Sequence, residues 1–470
     1  MDSRGIGAFA CIGFSACRAD PSRLPGPQSA KTGMNSLLGA AASPSTSYSH
    51  RFWRFSGGAL QILILSTAIQ LVIGLLFGHV YDIRIFMAAG HQVATLQNPY
   101  LPHDLSAVFH NPAFHGITTV GYPPPWPLIL GGIYRLTYAA LPNFLAYNLA
   151  IKLPIIIANV ALAYLTAACL RRLGADEARA RTAWVFMLLN PFLLYASAAW
   201  GQFDSIVALL SLAGLALLDS PRRSSSAILL ALAVSFKPTA IPLLLLPFFY
   251  LAASGLGQVL RFYAVLGLGL LAFCIGPFVF FGWDPSPILQ NWNAHLVVGG
   301  GLSPLAALEL WQTSYRLSGN WWLLGLLWIP ALGIASLALR SGIPDFKDLV
   351  RKSAASVLVF FLTRSWLSEP NLILVLPFVV ILASLGELPS SWLHVIWILP
   401  LLFGIVNVSA AQLFFPSMPH LMEALLKQME ELRTARLIAK VVVVVPWQIV
   451  GWLIVVRCLR RPAAAAGLTN

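Results

Sequence analysis

Charge is what this sequence lacks most. Only 10% of its 470 residues are Asp, Glu, Lys or Arg, whereas 58% are hydrophobic and mean hydropathy is +0.76. Soluble domains carry about 25% charged residues, so a water-soluble globule is excluded. Cysteine is also scarce. Cys11 and Cys17 lie near the N-terminus, while Cys169, Cys274 and Cys458 sit in or beside apolar segments, and none has metal-ligand spacing. They read as small hydrophobes. The nine histidines contain no HxxxH or HExxH pattern, which argues against a zinc site. Alternation over about ten residues, the mark of a membrane β-barrel, is absent too.

What the sequence does have is apolar runs of about twenty residues along its whole length, enough to cross a hydrocarbon core of about 30 Å. The class expected is an all-α polytopic membrane protein with about 12 transmembrane helices. The spans are placed near 58–80, 145–170, 182–199, 203–219, 225–236, 238–253, 261–281, 321–340, 353–364, 371–386, 393–408 and 438–456. Residues 1–50, rich in Ser, Gly, Pro and Ala, read as a disordered cytoplasmic tail, with Met34 an alternative start. Residues 51–390 form the core, with a first outer loop at 81–144. Residues 391–457 hold the C-terminal helices, and 458–470 a second cytoplasmic tail.

Orientation follows from the net charge of +13, which reflects Lys and Arg held on one side of a membrane and implies no nucleic-acid partner. Segment 126–142 is apolar enough to span, but counting it as a span puts Arg171 and Arg172 outside. Reading it as an interfacial helix of the outer loop gathers sixteen basic residues on the cytoplasmic side, from Arg51 and Arg54 through Arg171, Arg172, Arg351 and Lys352 to Arg461, against six acidic ones. The outer side is then nearly balanced, and both termini are cytoplasmic. The spans at 225–236 and 238–253 are short. They read as a hairpin with Lys237 at its apex, on the floor of an outward cavity.

Charged groups inside or at the ends of spans cost about 2.5–3.5 kcal/mol each and are functional by default. In this topology Asp82, Arg84, Asp204, Lys237, Arg364 and Glu369 all fall at the outer ends, outlining one polar site. Asp82 is the best candidate for a general base, since a carboxylate at the mouth of an apolar cavity is tuned by burial and by its neighbours. Its plain alternative is a structural pair with Arg84. Lys237 and Arg364 are cations suited to a lipid phosphate. Snorkelling is the alternative for Lys237, and pairing with Glu369 for Arg364. Trp200, Gln202 and Asp204 suit sugar recognition or simply a tight helical hairpin. His91, a few turns along from Asp82, is the one histidine expected to matter. Segment 416–437 has the spacing of an interfacial amphipathic helix.

The pieces Tyr81-Asp82, Asn98-Pro99-Tyr100, Tyr122-Pro123-Pro124, Asn190-Pro191, Trp200-Gly201-Gln202-Phe203-Asp204, Phe236-Lys237-Pro238 and Ser368-Glu369-Pro370-Asn371 occur in this order over about residues 55–390. Together they resemble the GT-C superfamily of membrane glycosyltransferases, in its polyprenol-phosphate-mannose-dependent and GPI mannosyltransferase-like branch. The resemblance implies a polyprenyl-phosphate-linked sugar donor, mannose by preference, and a lipid or glycan acceptor whose hydroxyl is deprotonated by Asp82 for inverting attack on the extracytoplasmic face of a bacterial cell membrane. It implies donor-phosphate contacts from Lys237 and Arg364. Sugar or acceptor contacts fall to Arg84, His91, Tyr122, Trp200, Gln202, Asp204 and Glu369. No metal or other cofactor is expected, although metal use varies in the superfamily and a divalent cation stays open. Two departures stand out: the next acid after Asp82 is Asp104, and Ser368-Glu369 replaces the His-Glu of the asparagine-linked glycan branch. The rival readings are a secondary transporter or flippase, disfavoured because the two halves show no self-similarity, a ligase using a diphosphate-linked glycan, and a lipid-binding scaffold.

Overall fold

The computed structural model describes residues 57–296, 298–310, 319–418 and 432–460. The tail 1–50, the pair Trp311-Gln312, most of segment 416–437 and nearly all of the C-terminal tail lie outside the described residues. Within them the chain is overwhelmingly helical. It begins with α1 (Gly57–Leu76), α2 (Val80–Ala94), α3 (Ser106–Phe109), α4 (Pro125–Leu136), α5 (Phe144–Arg172) and α6 (Glu177–Leu189). Then come α7 (Pro191–Leu193), which runs into a π turn over Leu194–Ala199, α8 (Asp204–Leu218), α9 (Arg223–Phe236), α10 (Leu246–Leu251), α11 (Leu256–Leu270) and α12 (Gly276–Phe281). The rest is α13 (Ser286–Leu296), α14 (Trp328–Leu337), α15 (Phe346–Leu362), α16 (Leu376–Ser384), α17 (Ser390–Leu413) and α18 (Arg433–Leu459). Beside the helices there is a short parallel pairing of Gly300–Gly301 with Trp366–Leu367.

Six stretches are long and apolar enough to cross a membrane: Gly58–Leu76, Phe144–Arg172, Glu177–Ala199, Leu256–Phe281, Ser390–Val408 and Arg433–Leu459. The chain is therefore a helical membrane protein by length and composition. The other six expected spans are helical as well but shorter or broken. Segment 371–386, for example, is a 3-10 turn over Glu369–Leu374 followed by α16. Segment 126–142 contains α4, only 12 residues long and packed on α2.

The sequence sets the breaks. Proline biases the residue before it toward extended backbone, and Lys237, just ahead of Pro238, has φ −153° and ψ 124°. The chain reverses there. Arg223 at the start of α9 reaches Ser254 at the end of the returning arm, with Nη2 3.4 Å from Oγ. At the other end Cys274 Sγ lies 3.1 Å from Ser235 Oγ. The hairpin with Lys237 at its apex is thus observed. Its first arm, α9, has 14 residues and rises about 21 Å. The neighbouring Leu256–Phe281 continues seven residues past Cys274, about 10 Å farther. The apex of the hairpin accordingly stops short of that helix end.

Candidate functional site

Asp82 lies in the first turn of α2 and is buried. Its Oδ2 accepts hydrogen bonds from His79 Nδ1 at 2.8 Å and from Trp200 Nε1 at 2.6 Å. His79 is stacked on Trp200, with ring centroids 4.7 Å apart, and its Nε2 lies 3.2 Å from Gln412 Oε1. Burial pushes the Asp82 carboxyl up. The hydrogen bond and charge of His79, with bonds from Trp200 and Gln202, outweigh burial and hold it below its usual 3.8. A buried carboxylate kept ionised can accept a proton from a hydroxyl presented to it.

Local backbone places these groups. The segment 77–79 between α1 and α2 is clamped on two sides: Gly78 N–H donates to Leu413 O at 2.7 Å and His79 N–H to Trp200 O at 3.0 Å. A Cβ on Gly78 would meet Pro416, Asn148 and Ile83, all within 3.0 Å. Gly201 has φ +99°, a conformation that favours glycine, and it turns the chain between the π turn and α8 so that Trp200 faces Asp82.

A second network adjoins Asp82 through Gln202. Lys237 Nζ donates to both carboxylate oxygens of Asp204, at 2.9 and 2.8 Å, and to Gln202 Oε1 at 3.4 Å. The Tyr122 hydroxyl donates to the same Gln202 oxygen at 3.4 Å, and its ring lies 5.3 Å from the ammonium. Burial, then the Asp82 and Asp204 carboxylates, raise the Tyr122 phenol, so it remains a donor. Tyr122 itself comes from the first loop, held by Tyr100 Oη donating to its carbonyl at 3.1 Å. Trp292 donates to Gly121 O at 3.0 Å, tying the later segment 283–296 to the same loop.

Asp82, Tyr122, Trp200, Gln202, Asp204 and Lys237 are thus brought together. Glu369 is buried nearby, accepting from Asn407 Nδ2 at 2.8 Å and sensing the charges of Lys440 and His79. Arg364 follows the end of α15, beside the strand pairing with Gly300–Gly301. It does not pair with Glu369. Its guanidinium lies 5.1 Å from the Phe360 ring, and among the described residues it has no hydrogen-bond or ion-pair partner. Arg84 does not pair with Asp82 either. It donates to Val80 O at 2.8 Å and Ala113 O at 2.6 Å, stapling the first loop. His91 is apart from the cluster, edge-on to Tyr134 at 5.1 Å. No group of three or more His, Cys, Asp or Glu suited to a metal is present among the described residues.

Four residues close to this site are not among the sequence-based candidates. His79 and Gln412 extend the Asp82 network. Asn148 Nδ2 and Lys152 Nζ donate to the carbonyls that end α1, Asn148 to Gly74 at 2.8 Å and Lys152 to Gly74 at 3.2 Å and to Phe77. Lys152 also bonds Ala199 O at 3.2 Å, next to Trp200. The signal was available: Asn148, Lys152 and Asn159 share one face of the otherwise apolar α5. A scan against protein-family models finds no match, and no curated protein matches the chain.

Proposed function

We propose that the protein is a membrane glycosyltransferase of GT-C type. It moves a sugar, mannose by preference, from a polyprenyl-phosphate donor to an acceptor hydroxyl. The observation that carries this reading is a buried, ionised carboxylate, Asp82, oriented by His79 and Trp200 and adjoining the polar network of Gln202, Asp204 and Lys237. Asp82 takes the acceptor proton as the hydroxyl oxygen attacks the anomeric carbon, and the lipid phosphate leaves with the bonding pair. Positioned donors that meet charge as it develops account for much of such catalysis.

The roles of the cations divide. Lys237 is engaged by Asp204, so it serves that network and, through Gln202, the sugar. Arg364 has its donors to spare and takes the departing phosphate, for which a planar fork is well matched. Tyr122 and Trp200 supply aromatic faces to the sugar, with Glu369 behind them. The site faces the extracytoplasmic side, since the opposite end of the bundle collects Arg171, Arg172, Arg351 and Lys352.

The test is transfer of radiolabelled mannose from synthetic polyprenyl-phosphate-mannose by membranes carrying the wild type or Asp82→Asn. The wild type is expected to transfer, and the variant, at equal expression, to lose about 10²–10⁴-fold of the rate. Full activity in the variant removes Asp82 from the mechanism. Donor-independent movement of a labelled polar solute across vesicles by the wild type would instead favour a transporter.

A further inference from the structure

An open cleft lies at the other end of the bundle, away from Asp82. It has a volume of about 460 Å³ and is lined by Leu218, Ser220 and Pro221 of the turn after α8, Arg223 at the start of α9, Tyr250 of α10, and Gln258 and Arg261 of α11. Asp219 also borders it, but its carboxylate is held by Arg172 and by the Tyr250 hydroxyl, which spend its charge.

Three features bear on what the cleft could hold. Among the described residues Arg261 has no hydrogen-bond or ion-pair partner, and Arg223 has only the long bond to Ser254 Oγ at 3.4 Å. Two guanidinium groups with unused donors therefore face one cavity. The starts of α9 and α11 both open onto it, and neither has a side-chain cap. Their first N–H groups and the positive ends of two helix dipoles point the same way. Finally, the cleft opens onto an apolar surface. Only 6% of the apolar window of Leu256–Phe281 is buried, against 56% for Phe144–Arg172. Leu256, Leu260, Leu268 and Leu271 form an exposed stripe leading away from the cleft along α11.

We propose that this cleft binds the phosphate headgroup of an anionic lipid, with the acyl chains lying along the α11 stripe. A free phosphate would use the same donors but gain nothing from the stripe, which is why the lipid is the occupant assigned. This site is separate from the proposed transfer chemistry and does not depend on it.

The experiment uses the purified full chain, delipidated in detergent and mixed with phosphatidylglycerol or phosphatidylcholine, with retained lipid counted by native mass spectrometry. Phosphatidylglycerol is expected to be retained over phosphatidylcholine. Retention should fall about tenfold or more in Arg223→Gln/Arg261→Gln, and part of the way in Arg261→Gln alone, a change that removes no contact and so spares folding. Arg179→Gln, at an exposed pair with Asp176, should retain lipid like the wild type. Undiminished retention in the double variant overturns the proposal, as does equal loss in Arg179→Gln, which would mean diffuse charge attraction. Displacement of the lipid by an equal concentration of inorganic phosphate overturns the lipid assignment in favour of a free anion.

Discussion

At one end of the bundle Asp204 and Lys237 are buried against each other between aromatic rings, and Asp82 is buried against His79 and Trp200. At the other end Arg171 meets a largely exposed Glu177, Arg172 meets Asp219 and stacks on Phe346, and Lys347 meets Glu387 at the surface. Even the buried cations there, Arg351 and Lys352, spend their donors on the carbonyls of Arg457, Cys458, Leu459 and Arg460 that end α18. Cations at a helix C-terminus are a routine stabilising device. The two ends differ in what their charges are for. Charge that caps a helix or faces water needs no further explanation. Charge buried with acids drawn from distant segments is costly to build and is arranged for something.

The two ends should differ most in stability. Removing one partner of the Asp204–Lys237 pair, as in Lys237→Met or Asp204→Leu, leaves the other charge buried and should destabilise the fold by about 3–5 kcal/mol. The double variant should recover most of that loss. Arg171→Gln at the other end should cost no more than about 1 kcal/mol. Denaturation midpoints in one detergent compare all four. Equal effects at the two ends would erase the distinction drawn between them.

Arg364 sharpens it next. If its free guanidinium meets the donor phosphate, Arg364→Gln should raise the donor KM about ten- to a hundredfold, with the melting temperature little changed. A lowered melting temperature with unchanged KM would return Arg364 to a structural role over Phe360.

His79 gives a smaller effect with a definite sign. Asp82 titrates below its ordinary value in the folded protein. Its stabilising contribution is therefore present above the unfolded value, about 3.9, and is lost as pH falls through the depressed folded value. His79→Phe keeps a ring against Trp200 but removes the hydrogen bond and charge, so the Asp82 carboxyl should rise. The acid limb of the pH–rate profile should move upward in pH, with a loss at neutral pH smaller than that of Asp82→Asn. An acid limb that stays in place would separate His79 from the base.

Much of this was legible from residue order, and the rest was not for physical reasons. Apolar length marked the helical segments expected as spans, because burying backbone in lipid leaves few alternatives, but it did not mark α2 within the stretch read as the first outer loop. Pro238 after Lys237 marked the hairpin apex. Membrane crossing is less legible than helicity: α8 and α9 are apolar but too short to be counted as spans by length alone. Partner choice was least legible. Nothing in the spacing of Asp82 and Arg84 says that the arginine turns to Val80 and Ala113 while His79, one helical turn back, takes the carboxylate. Nor could the sequence show that Lys152 would end α1 from across the bundle, although three polar residues on one face of α5 hinted at it.

The smallest expected effect concerns Asp104, the next acid along from Asp82. It is exposed and held by Ser106 and by His115, whose Nδ1 is 2.7 Å from Oδ2; these bonds lower its carboxyl to about 2. That shift is local turn chemistry, with the Ser106 backbone N–H donating to Asp104 Oδ1 at 3.0 Å in an Asx-type turn. Being depressed, it lends the turn support above the ordinary value of 3.8 that is lost as pH falls toward about 2, a range that leaves neutral pH untouched. Asp104→Asn should keep sugar transfer within about twofold of wild type, as expected for an exposed pair. A loss approaching that of Asp82→Asn would mean that the first loop carries two working acids.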